Sequence, residues 1–113
     1  MTHQYRAEDF ADLPQKALEA LGVRCIASNE TVTCINHPTL LEALPHDAAA
    51  AMLIGMVQAR CNWMQVHERH DDWECQLYVY EHLRMFYGSA RSPLSAVLSA
   101  YAAALGQQQE ARP

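Results

Sequence analysis

Apolar residues recur at three- and four-residue steps along much of the chain, a pattern typical of amphipathic helices. The first such segment covers residues 9–21. Its apolar positions are Phe10, Leu13, Ala17 and Leu21. Because proline is tolerated in a first turn but breaks a helix interior, Pro14 predicts that the firm helix begins near Asp12. Gly22 can end it.

The next segment has the composition of a β-hairpin. Residues 23–27 and 31–35 are rich in β-branched side chains, and Ser28, Asn29 and Glu30 between them suit a loop. Two strands alone are marginally stable in water, so this hairpin must pack on helices or extend its sheet with another chain. We predict no other β structure.

Two helices are predicted after the hairpin. Thr39 and Glu42 have the capping-box spacing of a short helix over residues 40–44, which Pro45 can end while opening the next helix. From about residue 46 to residue 70 a stripe of apolar side chains predicts the longest helix. The stripe consists of Leu53, Met56, Val57, Cys61 and Met64.

A further helix is predicted over residues 73–87. Asp71 and Asp72 precede Trp73, and Glu74 follows Asp71 by three residues, which indicates a break and a new N-cap. Gly88 can stop this helix. Its apolar side chains spread over more than one helix face, so a single domain would not cover them all.

The last helix has the clearest signals at both ends. Ser92 is in the N-cap position, Pro93 in the first helical position, and Gly106 can close the helix. One face carries Leu94, Val97, Leu98, Tyr101 and Leu105. The expected fold is therefore mainly α, a small helical domain over residues 1–106 with one short β-hairpin, followed by a flexible C-terminal tail, residues 107–113.

Composition and charge narrow the classes of function. The chain has 113 residues, of which 50% are hydrophobic and 19% charged, a profile of one folded domain. The net charge of -5 and the scattered basic residues argue against direct nucleic-acid binding. No apolar run approaches the roughly 18 residues that span a membrane, and the N-terminus lacks the features of a signal peptide. We expect a cytoplasmic protein.

Cysteine and histidine residues offer a candidate metal or redox site. The four cysteines are expected to be reduced, buried thiols, because a cytoplasmic domain of this size does not need disulfides. Glu68, Asp71 and Asp72 add carboxylates near residues 67–70, which fall one residue short of the His-Glu-x-x-His zinc pattern. The alternative function is therefore a metal-binding or redox protein that uses Cys61, His67, His70 and Cys75. Our main prediction includes no metal and no cofactor.

No catalytic residues are predicted. The sequence lacks a Gly-x-Ser-x-Gly elbow, and its four glycines are isolated, so there is no glycine-rich phosphate loop. We expect that the protein is not an enzyme.

The aromatic residues of the centre of the chain suggest an interface. Core packing is the commoner role of any one of them. Aromatic residues are also enriched in protein contacts, and the predicted 73–87 helix is apolar on too many sides. The predicted partner-binding residues are Trp63, Tyr78 and Tyr87.

Over its whole length the chain resembles the QslA family, quorum-sensing antiactivators of Pseudomonas. The resemblance is clearest in residues 1–22, MTHQYRAEDFADLPQKALEALG, and residues 62–88, NWMQVHERHDDWECQLYVYEHLRMFYG. It implies a helical homodimer that binds the ligand-binding domain of LasR, a LuxR-type transcription activator, and disrupts its dimerisation and DNA binding. It implies no particular contact residues. A phage-type inhibitor of another bacterial machine is a further alternative.

Overall fold

The computed structural model describes residues 3–36, 40–80 and 83–110. A short 3-10 helix, Ala7–Phe10, precedes the first α-helix. The α-helices are α1 (Gln15–Leu21), α2 (His46–Gln58) and α3 (Pro93–Glu110). The strands are β1 (Val23–Ala27), β2 (Val32–Asn36), β3 (Leu40–Leu44), β4 (Trp63–Arg69), β5 (Asp72–Val79) and β6 (Arg84–Ala90).

The prediction of a mainly α domain with one short hairpin is wrong. The strands form two antiparallel sheets in the orders β1-β2-β3 and β4-β5-β6, and the chain is a mixed α and β fold. Each sheet consists of strands that are consecutive in sequence, and each is followed directly by a helix, α2 or α3.

The predicted hairpin is confirmed, but it belongs to a larger sheet. The backbone N–H of Ser28 donates to the carbonyl of Thr31 at 2.8 Å and closes the turn between β1 and β2. β3 adds a third strand where a short helix was expected, with Val32 opposite Leu44. Pairing with β2 outweighs the local capping-box signal, whose Thr39 lies outside the described residues.

The predicted long helix is correct only in its first half. α2 begins directly after Pro45 and buries Leu53 and Val57 completely, but it ends at Gln58. From Trp63 onward the side chains alternate between two sides of a strand, as the β4 pairing requires. Met64 therefore belongs to a strand and not to the helical stripe.

The predicted helix over residues 73–87 is also wrong. Its place is taken by β5 and β6, and the two aspartates adjoin a tight β4–β5 turn in which His70 has a φ of 57°. The apolar side chains of this segment do not fit one helix face because they alternate between the two faces of strands. In β5, for example, Cys75 and Leu77 are buried on one side while Tyr78 lies on the other.

α3 packs across the second sheet and provides much of the core. Its side chains Leu94, Val97 and Leu98 are completely buried. The predicted N-cap is confirmed, because the Ser95 backbone N–H donates to Ser92 Oγ at 3.1 Å. The helix continues past its predicted end to Glu110.

The end of α1 follows its sequence signal. Gly22 adopts a left-handed φ of 73° as the C-cap, which suits a residue without a Cβ.

Among the described residues, no helix is both long and apolar enough to cross a membrane.

Candidate protein-binding surface

The two faces of the second sheet have different surroundings. Cys75, Leu77 and Phe86 point to the inner face and are buried beneath α3. The alternate residues of β4, β5 and β6 point to the opposite side, which we call the open face. Trp63 and Tyr87 on that face are 46% and 59% exposed.

The strand register brings the predicted partner-binding residues together on the open face. Trp63 lies opposite Tyr78, and Tyr78 lies opposite Met85, so these three form one row across the sheet. Tyr87 lies in the neighbouring row, opposite Gln76. Side chains in adjacent rows and strands are close enough to form a continuous surface.

A fourth aromatic residue extends this surface at the end of β5. Tyr80 is 66% exposed, and its ring lies 5.6 Å from that of Tyr78 in an edge-to-face arrangement. We call Trp63, Tyr78, Tyr80 and Tyr87 the aromatic patch. Leu83, 78% exposed, lies in the adjoining β5–β6 turn.

Hydrogen bonds from three backbone N–H groups fix the end of the sheet that carries the aromatic patch. The Tyr80 N–H donates to Asn62 Oδ1 at 2.8 Å, and the Asn62 N–H donates to the Tyr78 carbonyl at 2.9 Å. Leu83, with a positive φ of 49°, donates its N–H to the Val79 carbonyl at 3.1 Å. These bonds hold the aromatic side chains on a defined framework, which lowers the entropy cost of binding.

The other end of the open face is polar. Gln76 Nε2 donates to Glu74 Oε1 at 3.2 Å, and Arg69 Nη1 pairs with Glu74 Oε2 at 3.2 Å. His67 Nε2 lies 3.5 Å from Glu74 Oε1. The hydrogen bond from Gln76, followed by the contacts with Arg69 and His67, lowers the pKa of the Glu74 carboxyl. The open face is thus aromatic at one end and charged at the other.

His67 is only partly paired in this polar cluster. Its side chain is 37% exposed, but its Nδ1 atom is buried and has no hydrogen-bond partner. Such an atom loses the hydrogen bonds that it would make to water, so the position of this ring lowers the stability of the folded protein.

No protein-family model matches this chain. No curated protein matches it, and no solved structure matches its fold.

The four residues of the alternative metal site do not meet at one point, although Cys61 lies near enough to Cys75 to add to the effect of burial in raising the pKa of the Cys75 thiol. Cys75 is completely buried on the inner face, whereas His67 belongs to the open face of the same sheet. Cys61 lies before β4, where its thiol donates to the Gln58 carbonyl at 3.6 Å. His70 lies in the β4–β5 turn. Within residues 3–36, 40–80 and 83–110, no group of three or more potential ligands could hold a metal ion.

The sequence prediction missed two parts of this surface. The apolar pattern predicts a helix at Tyr80 and Leu83, and near Glu74 the sequence indicates only possible metal ligands. The alternation of Trp73, Cys75 and Leu77 with polar residues was the signal that could have placed β5 and its two faces.

Proposed function

We propose that this protein is a quorum-sensing antiactivator that binds the ligand-binding domain of LasR, a LuxR-type transcription activator. The observation that supports protein binding most directly is the aromatic patch on the open face. The identity of the partner rests on the resemblance of residues 1–22 and 62–88 to the QslA family.

The aromatic patch has the chemistry of a protein contact. Tyrosine and tryptophan combine a large apolar area with a polar group, and they supply much of the binding energy in many interfaces. Trp63 and Tyr87 are about half exposed, so each still has apolar area to bury against a partner. Arg69 and Glu74 at the far end of the open face suit the polar rim that surrounds such a core.

Inhibition by binding needs no catalytic chemistry. An antiactivator that covers the self-association surface of one activator subunit removes free monomer, and mass action then dissociates the active dimer. Loss of DNA binding follows from loss of the dimer. The net charge of -5 on the inhibitor is compatible with this indirect effect, because the inhibitor need not contact DNA.

We further propose that the protein is a homodimer, as the resemblance implies, and that it is cytoplasmic, as expected from its sequence. Light scattering at micromolar concentration should give twice the mass of the 12.7 kDa chain. Reducing agent should leave that mass unchanged, since no disulfide is expected to join the subunits. A monomer mass would refute the dimer without affecting the proposed partner.

The proposal is tested with the purified ligand-binding domain of LasR. Light scattering is recorded for this domain alone and with increasing amounts of the present protein, and DNA binding by full-length LasR is followed in parallel by gel mobility. We expect the activator dimer to be replaced by a complex of new mass as DNA binding is lost. An activator dimer that persists at excess inhibitor would contradict the proposal.

Two histidines distinguish this proposal from the metal-binding alternative. Joint replacement of His67 and His70 by alanine should leave LasR binding nearly intact, because neither belongs to the aromatic patch. Chelator treatment of the unmutated protein should also have no effect. If both treatments abolished binding, a metal site would replace the aromatic patch as the basis of function.

A further inference from the structure

Cys25 and Cys34 lie directly opposite each other on β1 and β2. The bond from the Ser28 N–H to the Thr31 carbonyl makes that pair of residues a hydrogen-bonded pair of the ladder. Pair types alternate along antiparallel strands, so Cys25 and Cys34, three steps away, form a non-hydrogen-bonded pair. The Cα atoms of such pairs are about 4.5 Å apart, which is within the range of about 4.4 to 6.8 Å found for disulfides.

The two thiols already interact in the reduced protein. None of the four cysteines, all of which lie in the described residues, forms a disulfide, and the thiols of Cys25 and Cys34 are hydrogen-bonded to each other. Burial, followed by the neighbouring Cys34, raises the pKa of the Cys25 thiol to about 12. Cys25 is only half-buried, whereas Cys34 is 3% exposed. A soluble reagent can therefore reach Cys25 far more easily than Cys34.

We propose that Cys25 and Cys34 are a redox-active pair that closes into a cross-strand disulfide by exchange with a small-molecule disulfide such as oxidised glutathione. The Cys25 thiol loses its proton to solvent, and its sulfur attacks one sulfur of the reagent. This step breaks the reagent's S–S bond, forms a mixed disulfide and releases one thiolate.

Cys34 completes the reaction from within the sheet. The Cys34 thiol gives up its proton to solvent, and its sulfur attacks the Cys25 sulfur of the mixed disulfide, forms the Cys25–Cys34 bond and expels the second small thiolate. Both released thiolates take up protons. The two protein thiols are thereby oxidised, and one reagent disulfide is reduced to two thiols.

The environment of Cys25 sets the rate at which this disulfide forms. Few Cys25 thiols are ionised at neutral pH, so the exchange is slow. Reduction of the disulfide is expected to begin at the more accessible Cys25 sulfur, with the buried Cys34 sulfur as the leaving group. The bond would link β1 to β2 covalently and stabilise the first sheet against unfolding.

Cys61 and Cys75 provide an internal comparison. Cys75 lies opposite Val66 in the sheet, and Cys61 precedes β4, so the ladder does not place these two thiols opposite each other. Cys75 is also completely buried. They should remain reduced under conditions that oxidise Cys25 and Cys34.

The test uses the full chain, reduced and then incubated in buffers of increasing oxidised glutathione. Free thiols are alkylated, and the protein is cut by a protease specific for glutamate, which cleaves at Glu30 between the two cysteines. We expect the fragments that carry Cys25 and Cys34 to be joined, two alkylated cysteines to remain, and the urea midpoint to rise on oxidation.

Single variants test the order of the two steps. Cys34→Ser should accumulate glutathione on Cys25, because the second attack is missing, whereas Cys25→Ser should accumulate little adduct at the buried Cys34. Four alkylated cysteines at every glutathione ratio in the unmutated protein would overturn the proposal. A dominant Cys61–Cys75 bond would overturn it as well, and neither result depends on the folding of a variant.

Discussion

Gly88 in β6 lies directly against the backbone of α3. A Cβ atom at this position would clash with the backbone carbonyl of Ala96 and the backbone N of Ala100. Backbone atoms cannot move aside as a flexible side chain can. We therefore expect Gly88→Ala to lower the free energy of unfolding by at least about 2 kcal/mol, measured by urea denaturation.

Gly55 is the matched control for this substitution. It lies in α2, and a Cβ there would have no heavy atom within 4 Å. Gly55→Ala should raise the free energy of unfolding by about 0.5 to 1 kcal/mol, since alanine has the higher helix propensity. Equal effects of the two substitutions would show that α3 does not approach β6 as described.

Glu74 should make stability depend on acidic pH. Its pKa in the folded protein is lowered, first by the hydrogen bond from Gln76 and then by Arg69. The stabilisation is therefore present above the ordinary carboxyl pKa and is lost as pH falls through the lowered value. In urea titrations, Glu74→Gln should reduce the loss of stability between neutral and acidic pH, whereas Glu68→Gln, at an exposed site in β4, should not.

At the level of single elements, local signals predicted the end of α1, the start of α3 and the first hairpin. These helix ends can be recognised without knowledge of the fold, because each depends on the side chain, or the missing side chain, of a residue at the end itself. The residues are Gly22 for α1 and Ser92 and Pro93 for α3. The boundaries of β1 and β2 followed from β-branched residues and a short polar loop in the same way.

Strands β3 to β6 were missed because their stability depends on pairing. Residues 40–44 contain leucine and alanine, which favour helices in isolation, and form a strand only beside β2. Residues 73–87 contain enough apolar side chains to fit a helical stripe as well as an alternating one. The aspartates that follow His70 predict a helix cap where the structure has a turn, since aspartate suits both caps and turns.

The N-cap of α3 can be tested directly. Ser92 is 2% exposed, and its Oγ accepts the Ser95 N–H, so Ser92→Ala would leave a donor in the first turn without its partner. We expect a loss of about 1 kcal/mol in the free energy of unfolding. Ser99→Ala, in the interior of the same helix, should cost less or stabilise, because alanine is the better helix former. A Ser92→Ala variant as stable as the parent would contradict the cap.

At the scale of the whole molecule, the sequence indicates which aromatic residues could bind a partner, but it does not show that they lie together on one face of a sheet. Trp63, Tyr78 and Tyr87 are residue types that favour interfaces, but the apolar pattern predicts them on helices. Their common location depends on the register of three strands, which brings residues far apart in sequence onto one face. Whether this face binds a partner stays a prediction.

The most direct test of the aromatic patch is the affinity of single alanine variants for the ligand-binding domain of LasR, measured by calorimetry. Trp63→Ala or Tyr87→Ala should weaken binding by about 2 kcal/mol, or roughly 30-fold, with an unchanged circular dichroism spectrum. Ile26→Ala, which removes a 56% exposed apolar side chain from the first sheet, should bind like the parent. Parental affinity in both aromatic variants, or an equal loss in Ile26→Ala, would contradict the assignment of the binding surface.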